Sequence, residues 1–170
     1  NNAGIISGGT FQQPVNNNKT ISGGTFQGEV HNWGTISSGT FQGNVANWGT
    51  ISNGTFQGDV DNYANISGGT FQREVTNDGT ISGGTFQGEV YNNDGTISDG
   101  IFQQPVDNHK TISGGTFQKP VNNYKTISGG TFEEAVEVYA SSGENATIEG
   151  GTFERTIMLM NGDASITIKD

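Results

Sequence analysis

Thr20-Ile-Ser-Gly-Gly-Thr-Phe-Gln-Gly-Glu-Val-His-Asn-Trp-Gly34 is one copy of a fifteen-residue unit written ten times along the chain. Its phenylalanine recurs at Phe11, Phe26, Phe41, Phe56, Phe71, Phe86, Phe102, Phe117, Phe132 and Phe153. The step is constant except from Phe86 to Phe102 and from Phe132 to Phe153, where residues are inserted. A short, constant period marks a solenoid, in which each repeat buries its apolar side only against its neighbours.

Three apolar columns run through the units. They are Ile6 to Ile148, the phenylalanines, and Val15 to Val136 ending in Ile157. Each apolar residue has polar neighbours, as Thr-Ile-Ser, Thr-Phe-Gln and Glu-Val-X. Alternation of this kind belongs to strands with the middle residue inward. Gly23-Gly24 marks a first corner, Gly28 a second and Asn32-Trp33-Gly34 a third, glycine being free to adopt positive φ. The predicted fold is all-β: a parallel β-helix (β-solenoid) with triangular coils of 15 residues, about ten coils over 1–157 and a C-terminal cap over 158–170. Stacked at the parallel-strand spacing, ten coils give a rod of roughly 50 Å.

Composition agrees with this only because of the period. With 30% hydrophobic residues and 28 glycines, an aperiodic chain would not bury enough apolar surface to fold. There is no cysteine, which excludes disulfides and thiolate metal sites. The net charge of −10, with seven Lys and Arg, argues against nucleic acid as a partner. No signal peptide and no run of about 18 apolar residues is present, so no membrane insertion is expected.

An asparagine column, Asn17, Asn32, Asn47, Asn62, Asn77, Asn92, Asn108 and Asn123, predicts an amide ladder from coil to coil. The sequons at Asn18, Asn53, Asn65 and Asn145 are what an Asn- and Thr-rich chain makes by chance. Three coils replace Gln-Gly-acidic-Val by Gln-X-Pro-Val and end in Lys: Pro14 with Lys19, Pro105 with Lys110, Pro120 with Lys125. Proline has no N–H to donate, so its position should face away from the strand ladder. The stretch Glu137 to Asn145 is expected to bulge as an insertion. The dense apolar run from Ile157 through Met160 to Ile168 is expected to cap the open core. No equivalent precedes Asn1, where the chain opens in mid-repeat. The sequence thus leaves open a piece excised from a longer protein and rods that associate end to end.

The run Gly-Thr-Ile-Ser-Gly-Gly-Thr-Phe-X-Gly-X-Val-X-Asn resembles the tandem repeats of bacterial cell-surface and secreted β-solenoid proteins. The resemblance implies an extracellular or cell-surface location and a structural rod or adhesin-like module, with a cell surface, a glycan or a protein as partner. The Thr-X-Ser strand also resembles the flat strand of β-solenoid antifreeze proteins. It departs from them by Ser in place of a second Thr and by lacking disulfides. That resemblance implies an ice-binding face of Thr20, Ser22, Thr35, Ser37, Thr50, Ser52, Thr80, Ser82, Thr96, Ser98, Thr111 and Ser113.

Two columns carry the functional alternatives. The hydroxyl ranks, about 7 Å apart across a strand and about 4.8 Å apart along the rod, either suit strand packing or order a water layer. The aromatic residues of the third corner, Trp33, Trp48, Tyr63 and Tyr124 with His109 and Tyr139, either stack between coils or form a carbohydrate-binding surface. Acids line the third strand at Glu29, Asp59, Glu74 and Glu89, but the Asp-rich nonapeptide of calcium-binding β-rolls is absent and no metal or other cofactor is expected. His31 and His109 lie far apart, and no nucleophile–base grouping or phosphate loop is written, so no enzyme is expected.

Overall fold

The computed structural model describes residues 1–140 and 146–160. The described chain is a parallel β-solenoid. Its ten Val-centred strands, from Val15–Asn17 to Ile157–Leu159, pair in sequence order as one sheet. The Thr-Ile and Thr-Phe strands form a second, sixteen-stranded sheet. Register advances one repeat per coil, pairing Ile21 with Ile36, Phe26 with Phe41 and Val30 with Val45.

The interior follows the three columns. Ile, Phe and Val of the middle coils are fully buried, as at Ile66, Phe71 and Val75. The phenylalanine rings form one stack from Phe11 to Phe153, with centroids 4.7–4.9 Å apart and planes within 7°. That spacing is the coil rise, so the described rungs span about 43 Å.

The cross-section differs from three separate strands and three equal corners. The first two strands belong to one bent sheet, and in four coils they are a single strand: Ile5–Phe11, Thr20–Phe26, Thr80–Phe86 and Thr96–Phe102. The bend is a register shift at the glycine pair. Among the described residues positive φ occurs only at the second position of that pair, as at Gly24 (112°). At the second corner Gly28 answers a different constraint, although Gln13, Arg73 and Lys119 fill the same position in other coils. A Cβ on Gly28 would lie 2.6 Å from the carbonyl carbon of Gln13 on the preceding coil.

The third strand is displaced by one residue from the expected Glu-Val-X. It runs Val-X-Asn, and the asparagine expected at a corner points inward with the valine, fully buried at Asn32, Asn47 and Asn77. Each amide Nδ2 donates to Oδ1 of the next coil at 2.7–2.8 Å, from Asn2 through Asn17 to Asn123. The predicted ladder therefore exists, but it is core rather than corner. It ends where Val138, also buried, takes the asparagine position.

Proline is tolerated because its position serves the sheet only through its carbonyl. The Val90 and Val106 N–H groups donate to the carbonyls of Pro105 and Pro120 at 3.2 and 3.3 Å. At the equivalent position, the Asp59 N–H donates to a side chain, Asn44 Oδ1, instead of to the ladder. The expected insertion begins later than predicted: Val136–Val138 is a regular rung, and Tyr139 and Ala140 follow in place. The rest of it, 141–145, lies outside the described residues. Ile157–Leu159 makes a tenth rung on Val136–Val138. Residues 161–170 of the expected cap lie outside the described residues.

Candidate functional site

The outward residues divide by sheet. From Ile5 to Gln118 the eight Thr-Ile-Ser-Gly-Gly-Thr-Phe-Gln segments carry a single ionisable residue, Asp99. Over the same span, the acids Glu29, Asp59, Asp61, Glu74, Asp78, Glu89, Asp94 and Asp107 all fall on the Val-X-Asn sheet or its corners.

On the bent sheet, Thr20, Thr35, Thr50, Thr80, Thr96 and Thr111 stand in one half-buried rank. Asn65 interrupts it between Thr50 and Thr80. Among the described residues their hydroxyls have no protein hydrogen-bond partner, so they face solvent. The serine rank behaves differently. The hydroxyls of Ser22, Ser37, Ser52, Ser82, Ser98 and Ser113 each donate to the isoleucine carbonyl of the preceding coil at 3.2–3.3 Å. A side chain that repeats because it ties coils together needs no ligand to account for it.

The third corner gathers two aromatic stacks. Trp33, Trp48 and Tyr63 stack with centroids 5.2 and 5.1 Å apart and planes within 12°. They are 43–48% exposed, which makes them the only contiguous exposed aromatics among the described residues. His31 meets both indoles edge-on at 5.8 and 6.0 Å, and its Nε2 lies 3.1 Å from Glu29 Oε1. Tyr124 is not part of this group. It stacks between His109 and Tyr139, several coils along the rod.

Because each ring covers the next, ring edges rather than faces point outward. The first stack thus presents an apolar ridge of ring edges along the rod.

The carboxylates beside the two stacks also differ. At the second, the Asn122 amide donates to Asp107 at 2.6 Å and the Tyr139 hydroxyl to Glu137 at 2.6 Å, which pushes the Tyr139 phenol up to about 12. At the first, Asp61 and Asp78 make no side-chain hydrogen bond or ion pair among the described residues. Partial burial, then the charges of Asp59, Asp78 and Glu29, hold the Asp61 carboxyl above the usual carboxylate range. Arg73 offsets Asp59 at 3.6 Å, and Lys110 meets Asp94 at 3.1 Å. Both pairs are exposed and stabilise little.

Sequence reasoning did not single out Asp61 or Asp78, and it took His31 only as an isolated histidine. The signal was present as spacing: Asp61 and Tyr63 stand two apart, like His31 and Trp33, and so share an outward side. No group of three metal-ligating side chains occurs among the described residues. Among the described residues no helix is long and apolar enough to cross a membrane. No protein-family model, no curated protein and no solved structure matches this chain.

Proposed function

We propose that this chain is a non-enzymatic extracellular rod, a stalk or adhesin-like module that holds its ends apart and offers its sides to a ligand at a cell surface. The observation that supports it most is the unbroken axis. Among the described residues one phenylalanine stack runs from Phe11 to Phe153 and one amide ladder from Asn2 to Asn123. A chain that commits its interior to a continuous stack resists bending between coils. The resemblance of the Gly-Thr-Ile-Ser-Gly-Gly-Thr-Phe unit to repeats of bacterial surface proteins supports the location. Spin labels at Gln13 and Glu134, both exposed and eight rises apart in one column, should give a narrow distance distribution near 38 Å. A broad distribution would remove the rod reading. Antibody staining of intact cells tests the location, and staining only after permeabilisation would refute it.

A second reading, ice binding, is supported by the uncharged threonine rank whose hydroxyls face solvent. Against it stands the use of Ser22, Ser37, Ser52, Ser82, Ser98 and Ser113 by the backbone. Thr80→Tyr discriminates. If ice is the ligand, micromolar protein shapes ice crystals and the substitution abolishes the effect while the fold persists. A stalk shapes no ice in either form.

A further inference from the structure

We propose that the ridge Trp33–Trp48–Tyr63, with Glu29, Asp61 and Asp78, docks a basic protein segment in which arginines alternate with small apolar residues. The inference deepens the adhesin-like reading, on which it rests, by naming the partner's chemistry.

Three observations select this place. The ridge is the largest exposed aromatic surface among the described residues, and exposed Trp and Tyr on an otherwise polar rod are what interfaces use. The rings already satisfy one another through their faces, so the ridge cannot bury itself further without a partner. Of the carboxylates beside it, Glu29 meets His31, but Asp61 and Asp78 make no side-chain hydrogen bond or ion pair among the described residues, unlike Asp107 and Glu137 at the second stack, which their neighbours already occupy. The crowding of Asp61 by Asp78 and Glu29 supports the same conclusion, since a cation arriving there relieves repulsion.

The occupant follows from charge and shape. The protein carries a net −10, and between Ile5 and Gln118 every acid but Asp99 lies on this sheet or its corners, which steers cations towards it and repels acidic partners. Ring edges give apolar contact to side-chain stems, and the carboxylates take the charged heads. Tyr63 is the last ring of the stack, and its face away from Trp48 is turned to the next rung, which holds Asp78 in place of an aromatic residue. A planar guanidinium can lie on that face and pair with the carboxylate, a geometry that a lysine ammonium matches less well.

Fluorescence anisotropy with a dye-labelled peptide of Arg-Gly-Leu repeats tests the proposal. Intact protein should bind it, with affinity falling about tenfold between 0.05 and 0.5 M salt. The Lys-Gly-Leu peptide should bind more weakly. A Gln-Gly-Leu peptide and a neutral β-linked glucan oligosaccharide should not bind. Trp33→Ser with Trp48→Ser, and separately Asp61→Asn with Asp78→Asn, should each weaken binding at least tenfold. Asp107→Asn with Glu137→Gln should leave it unchanged. Circular dichroism melting confirms that all three variants fold. The proposal is overturned if no arginine peptide binds, if the tryptophan variant binds as well as the intact protein, or if the Asp107 and Glu137 variant loses as much, which would mean diffuse charge only. Salt-insensitive glucan binding lost with the tryptophans would also overturn it, in favour of a carbohydrate ligand. The spin-label distance is independent of every one of these outcomes, so the rod reading stands or falls separately.

Discussion

The two sheets of this solenoid share one interior and have opposite exteriors. Inward, both repeat with almost no variation: Ile and Phe on the bent sheet, Val and Asn on the other. Outward, the bent sheet still repeats, Thr, Ser, Thr and Gln in coil after coil. The Val-X-Asn sheet does not: its outward position holds Asn16, His31, Ala46, Asp61, Thr76, Tyr91, Asp107, Asn122 and Glu137 in turn. Repetition therefore has two causes in this molecule. Inside, it is demanded by stacking, since a ring or amide binds best to its own copy one rise away. Outside, on the bent sheet, the serine repeats because its hydroxyl closes a hydrogen bond to the coil before. The threonines beside it repeat without such a bond, whereas on the Val-X-Asn sheet the outward residue differs from coil to coil, and that is where charge and aromatics collect.

The largest effect should come from breaking the shared interior. Phe71 lies between Phe56 and Phe86 at 4.7 and 4.8 Å and is fully buried. Phe71→Asp would place an unpaired charge in the stack and should cost more than about 4 kcal/mol. Circular dichroism melting should show the central coils unfolded. A melting temperature within a few degrees of the parent would show that the stack is not the core.

Next comes the ladder. Asn77→Ala removes an acceptor for Asn62 and a donor to Asn92, both buried. Asn62 keeps a bond to the Ala64 carbonyl at 3.2 Å, so the loss is partial. Roughly 2 kcal/mol is expected from the groups left unsatisfied. Asn77→Leu should not rescue it, because the neighbouring amides remain unpaired. A neutral outcome for both substitutions would reassign the asparagines from core bonding to corner geometry.

The ladder is also where the sequence was harder to interpret. Ile, Phe and Val were assigned inward because apolar side chains at a fixed period have no other place to go. Asparagine suits turns as well as buried ladders, and Asn-X-Gly is good turn chemistry, so from sequence alone the column reads as a corner. Val138 held the missing signal. A column in which valine replaces asparagine is an inside column, and the third strand then runs Val-X-Asn. The merging of the first two strands into one sheet could not be inferred from glycine pairs alone, since a corner and a bend use the same residues. Of the candidate site, the aromatic column was legible and its stacking was one of the stated alternatives. The separation into two stacks follows from Asp78 and Asn93 at the intervening positions. The difference between paired and unpaired carboxylates depends on side-chain geometry that no spacing encodes.

On the exteriors the effects become small, and they should differ in kind. Ser82→Ala on the bent sheet removes the partly buried bond to the Ile66 carbonyl at 3.3 Å and should cost about 0.5 kcal/mol. Thermal melts of Ser82→Ala and of Thr76→Ala on the other sheet compare a residue bonded to the backbone with one that has no such bond. A larger cost at Thr76 would contradict the distinction between the two exteriors.

Asp61→Asn should be the smallest change and the only stabilising one. Burial, then the neighbouring charges of Asp59, Asp78 and Glu29, raise the Asp61 carboxyl above its ordinary value. A carboxyl raised in the folded state favours folding most where it is protonated, below its unfolded value of 3.8, and that advantage is lost as pH rises through the folded value. At neutral pH the ionised group therefore opposes folding, and the uncharged amide removes the opposition. The site is exposed and screened, so the gain should be well under 1 kcal/mol, or about 1 °C in melting temperature. It should vanish below pH 3.8, where Asp61 is as neutral as asparagine, and shrink in high salt. Destabilisation by Asp61→Asn at pH 7 would mean that the carboxylate has a favourable partner. The same substitution should weaken the arginine peptide, so the outward sheet would gain stability as it lost binding. Such opposition is expected where charge is kept for a ligand rather than for the fold.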